Sequence, residues 1–73
     1  MIHSQETVNY KGLTFTVVID GAGLDIHSTD DASLADIAKL SDGVSHELFC
    51  KVYDYGYTKG LREALTAAGA VIV

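Results

Sequence analysis

Seventy-three residues with ten carboxylates, five bases and a net charge of −5 describe one small acidic domain. The apolar fraction of 48% is too high for a disordered acidic tail, the single Cys50 rules out an internal disulfide framework, and no apolar run approaches a membrane span. The charge is uneven: from Asp20 to Glu47 there are seven carboxylates against Lys39 alone, while the flanking segments are close to neutral. A one-signed field of this kind attracts basic partners and repels nucleic acid and anionic membranes.

Thr7–Tyr10 and Leu13–Ile19 alternate apolar and polar residues with period two, which predicts two half-buried strands joined by a tight Lys11-Gly12 turn. Asp20-Gly21-Ala22-Gly23 is a second turn signal, and Leu24–Ser28 resumes the alternation with Asp25 and His27 on the outer face. Ser28-Thr29-Asp30-Asp31 has the oxygen-bearing side chains of a helix entry, so the helix that follows, carrying Leu34, Ile37, Ala38 and Leu40, is expected to start there and to stop at Ser41-Asp42-Gly43. Asp36 and Lys39 fall on its wet side.

Val44–Tyr57 is rich in strand formers at Leu48–Tyr53, yet Val44, Leu48, Val52 and Tyr55 recur at helical spacing, and a helix capped by Ser45 is the preferred reading. A third helix is expected from Thr58, with Leu61, Ala64, Leu65 and Ala68 on one face and Gly69 as its stop. Gly56, Gly60, Ala64 and Ala68 form a stripe of small residues suited to close helix packing. Ala70–Val73 reads as a closing strand. The fold class is therefore α+β over residues 1–73: a three-stranded antiparallel meander, two or three helices and a short C-terminal strand, in two layers.

Chemistry-bearing patterns are sparse. His46 and Cys50 share a helical face and His27 is available, but no Cys-x-x-Cys accompanies them, and Cys50 between Phe49 and Val52 reads as a small core residue. An apolar, electronegative setting disfavours a thiolate nucleophile. Gly21-Ala22-Gly23 leads into a strand rather than a helix N-terminus, so it is a hairpin loop and not a phosphate loop. No enzyme activity, metal or cofactor is expected, and the N-terminal residues carry no signal-peptide pattern, which places the chain in the cytoplasm.

Two surfaces remain as candidates for a partner. Asp25 on the outer sheet face, with Asp20, Asp30 and Asp31 at strand ends and Asp36 beyond, is the candidate acidic docking surface; the plainer alternative is a merely solvated face, with acids placed where turns and helix starts call for them. Tyr53, Tyr55 and Tyr57, flanked by Lys51 and Lys59, form an aromatic cluster; the plainer alternative sets two of the three against the core. Very small, acidic and proline-free, the chain is similar in size and charge to phage or mobile-element inhibitors of the anti-CRISPR or anti-restriction type. That similarity implies a non-catalytic inhibitor whose carboxylates occupy a basic nucleic-acid-binding surface, as a monomer or homodimer. The alternative is an assembly subunit that self-associates through the tyrosines and the final strand.

Overall fold

The computed structural model describes residues 2–73. Four strands and two helices follow in the order β1 (Ile2–Tyr10), β2 (Leu13–Asp20), β3 (Gly23–Ser28), α1 (Leu34–Tyr55), α2 (Tyr57–Ala67) and β4 (Val71–Ile72). The sheet is antiparallel throughout with strand order β3-β2-β1-β4, and both helices cover one of its faces. The fold is α+β.

Period two fixes which side of the sheet is buried. Val8, Phe15, Val17 and Ile19 point to the helices and are buried, while Thr7, Thr16, Asp25 and His27 belong to the opposite, uncovered face. Lys11 and Gly12 both take positive φ (52° and 83°), the mirror-image turn whose twist matches two antiparallel strands, and the Asn9 Oδ1 accepts from the Gly12 N–H at 3.2 Å. At the other hairpin Asp20 Oδ1 accepts from the backbone N–H of Ala22 and Gly23 at 2.8 and 3.2 Å. β1 is longer than the alternating segment Thr7–Tyr10 foretold, and a bulge between Ile2 and Ser4 lets it continue past the end of the regular ladder.

The helical half departs from the sequence reading in three places, each with a physical reason. The entry is not Ser28–Asp31. Those residues tie off β3: Ser28 Oγ donates to the carbonyl of Asp30, and the Asp30 carboxylate accepts from the Thr14 N–H. The cap is Ser33, in a reciprocal box with Asp36. Ser33 Oγ accepts from the Asp36 N–H at 3.3 Å, and Asp36 Oδ2 accepts from the Ser33 N–H at 3.2 Å.

Gly43 does not end the first helix. α1 runs unbroken for 22 residues through the ambiguous Val44–Tyr55 segment, so Ser45 is an interior residue and not a cap, and the described residues form two helices. Gly43 is there because α2 passes close by: a Cβ on it would lie 3.1 Å from the Cβ of Ala68.

Thr58 does not cap α2 either. The two helices meet at Gly56, whose φ of 85° turns the chain in a single residue, and no side chain caps the new helix. Past this elbow α2 folds back antiparallel on α1, burying Gly60, Leu61, Ala64 and Leu65. Phe15, Val17, Leu40, Val44, Leu61 and Leu65 join in one core between the layers. Arg62 Nε donates to Glu6 Oε1 at 2.8 Å and ties α2 to β1.

Candidate interaction surface

The five predicted acids do not converge. Asp20 sits at the end of β2 that faces the β2–β3 hairpin, whereas Asp30 holds the opposite end of the same strand through Thr14. Asp25 is paired with Val18 on the uncovered sheet face, Asp31 is exposed in the β3–α1 connection, and Asp36 is locked in the α1 cap. Three of the five are therefore committed to the backbone. Asp20 and Asp30 satisfy loop and strand N–H groups, and Asp36 satisfies a helix start. Hydrogen bonds from Ser33, first through its hydroxyl and then through its backbone, hold the Asp36 carboxyl below the ordinary 3.8, with Lys39 and Lys11 adding to the effect. Asp25 and Asp31 carry no such bond. The expected single acidic face is instead a field spread over both ends of the domain.

The tyrosines fare differently. All three are exposed, so the alternative that placed two of them against the core does not hold. They do not form one cluster, however. Tyr55 is flanked by Lys51 and Lys59, whose ammonium groups lie 6.0 and 5.2 Å from its ring centroid. Tyr57 opens α2 and stacks on His3, with ring centroids 4.3 Å apart and planes 11° from parallel. The β1 bulge accounts for this, since the extra residue turns His3 toward the helices instead of the outer sheet face. Tyr53 stands out from the last turns of α1, 85% exposed.

Tyr53 and Tyr57 instead join residues that the sequence reading assigned to structure and not to a site. Together with Ile19, Ser45, Leu48, Phe49 and Val52 they line an open apolar groove of about 430 Å³ under the α1–α2 elbow, beside the end of β2. Its floor is Ile19, and its rim is Phe49 and Tyr53, which are 82% and 85% exposed. The helical angle carried the missing signal: at 100° per residue Val44, Leu48 and Val52 share the core stripe, while Ser45, Phe49 and Tyr53 form a second stripe beside it. A helix with apolar residues on both stripes has more apolar surface than its own core covers.

His46 and Cys50 both lie on the exposed side of α1, and the Cys50 thiol is exposed rather than a core residue. His27 is on the far face of the sheet, so it cannot join them. Among the described residues no three His, Cys, Asp or Glu side chains form a group that could hold a metal ion, and no helix is long and apolar enough to cross a membrane. No protein-family model, curated protein or solved structure matches this chain.

Proposed function

We propose that this chain is a non-catalytic protein-binding module that takes an apolar anchor of its partner into the groove under the α1–α2 elbow. The observation that carries this reading is the exposure of Phe49 and Tyr53 at the rim of an uncovered apolar cavity. Leaving two large aromatic side chains in water forgoes about 1.5–3 kcal/mol of burial for Phe49 alone. Aromatic anchors beside a preformed pocket are the usual carriers of binding energy in protein interfaces. The stacked pair of His3 and Tyr57 braces one wall, so the pocket needs little reorganisation to receive a ligand.

The acids have a supporting role in this reading. A net charge of −5 raises the encounter rate with basic partners and is screened by salt, whereas the apolar contact is not. Distributed as they are, the carboxylates steer; Phe49 and Tyr53 hold. An inhibitor that approaches a basic nucleic-acid-binding surface is one member of this class of partner relations.

Three affinity columns test the reading, carrying wild type, the Phe49→Ser/Tyr53→Ser variant, and an Asp25→Lys/Asp31→Lys variant that spares the carboxylates bonded to the backbone. Lysate of the natural host is loaded at low salt and eluted to about 1 M sodium chloride. Proteins that stay on the wild-type column at high salt are expected to stay on the double-lysine column and to be missing from the double-serine column. Retention indifferent to the serine changes but lost with the lysine changes would assign the contact to the acids and overturn the reading.

A further inference from the structure

Six positions of α1, Leu34, Ala38, Asp42, Ser45, Phe49 and Tyr53, are all exposed and recur at spacings of four, four, three, four and four residues. At 3.6 residues per turn these spacings keep them on one side of the helix. Leu34 is 86% exposed, so three of the largest exposed apolar side chains of the molecule stand in this single line. At its C-terminal end the line borders the groove shared with Tyr57, and α1 is the helix that lies over the edge strand β3. A neighbour placed there would extend the helix layer without disturbing the core.

The spacing is a palindrome, which a second copy of the same helix matches in register. A second α1 laid antiparallel about a twofold axis between Gly43 and Val44 brings Leu34 opposite Tyr53, Ala38 opposite Phe49 and Asp42 opposite Ser45. Apolar meets apolar in the outer pairs, with small Ala38 against large Phe49, and the one charge of the line meets a hydroxyl that donates to it. We propose that the occupant of this surface is a second copy of the chain, paired antiparallel through α1 as an isologous dimer. The inference rests on the contact role given above to Phe49 and Tyr53, and adds Leu34 and the partner.

The area is sufficient. Aromatic side chains bury about 150–250 Å² each, so the four rings of the pair alone supply about 600–1,000 Å². Two leucines and the residues between carry the total past the roughly 1,000 Å² that marks a specific interface. Two chains of charge −5 repel, and the contact line itself holds only Asp42, so added salt should tighten this dimer where it would loosen an acid–base complex.

Sedimentation equilibrium from about 20 µM to about 1 mM tests this by mass action. Wild type is expected to approach twice its 7.8 kDa mass and to do so more readily in high salt. Leu34→Asp should raise the dissociation constant more than about tenfold, with an unchanged thermal midpoint at a dilution where both chains are monomeric, because Leu34 is part of neither core nor groove. In a Cys50→Ser background, mixing Leu34→Cys with Tyr53→Cys chains should yield the mixed disulfide in preference to either homodimer.

A monomer at every concentration, a dimer indifferent to Leu34→Asp, or no preference for the mixed disulfide would each overturn the inference. The Phe49→Ser/Tyr53→Ser column separates the two levels. If it loses partner proteins while wild type stays monomeric, the groove reading stands and only the dimer falls; if it loses none, the groove reading falls.

Discussion

Replacing Gly60 with alanine is expected to destabilise the domain by about 2–3 kcal/mol, even though alanine is the better helix former by about 1 kcal/mol. A Cβ at this position would lie 2.6 Å from the Val52 Cα and 2.7 Å from both the Lys51 carbonyl oxygen and the Val52 nitrogen. All three are backbone atoms of α1, so no side-chain rotation relieves the overlap; the helices have to separate, and Leu61 and Leu65 move out of the core with α2. At about 4–8 °C per kcal/mol for a domain of this size, the thermal midpoint should fall by about 10–20 °C. Gly43→Ala is the matched comparison. Its new Cβ would meet the Ala68 methyl at 3.1 Å, where a small shift suffices, and the gain in helix propensity offsets the crowding to within about 1 kcal/mol. Equal melting of wild type and Gly60→Ala would refute the close approach of the helices.

Phe15→Ala should have a larger effect, about 3–5 kcal/mol, which is most of the stability a chain this small can hold. Phe15 is fully buried at the centre of the sheet, opposite Val8 in the ladder, and its ring meets Tyr10 edge-on at 6.3 Å. Its removal leaves a cavity between strand and helix layers that neither can collapse into without breaking the ladder. Urea unfolding is expected to show a loss of the cooperative transition, or a midpoint shifted far toward zero with the slope preserved. A midpoint within experimental scatter of wild type would mean that the core is not where the alternation of β2 puts it.

That alternation is why the sheet is legible in the sequence. Leu13–Ile19 places a side chain on each face in turn, and glycine with its neighbours marks both hairpins, so local chemistry and tertiary packing point the same way. The helices are harder to read because glycine has two meanings. Gly43 reads as a stop, but its small size serves a contact with Ala68 from a distant part of the chain, which no local window reveals. The Ser33-x-x-Asp36 capping box is present in the sequence and is overshadowed by the Ser28–Asp31 cluster, whose oxygens close the end of β3 instead. Likewise the acids look like a surface because they are near in sequence, while antiparallel strands carry Asp20 and Asp30 to opposite ends. Phe49 disappears into an apolar run; only the angle of α1 relative to the sheet separates it from Leu48.

A contact surface at the elbow requires that Phe49 and Tyr53 be held outside the fold, and thermal unfolding of the Phe49→Ser/Tyr53→Ser variant at high dilution tests that most directly. With both side chains in solvent, the midpoint is expected to stay within about 2–3 °C of wild type, since surface substitutions away from buried features cost about 0.5 kcal/mol or less. A fall as large as that expected for Gly60→Ala would place the two aromatics inside the structure and remove the ground for a contact surface there.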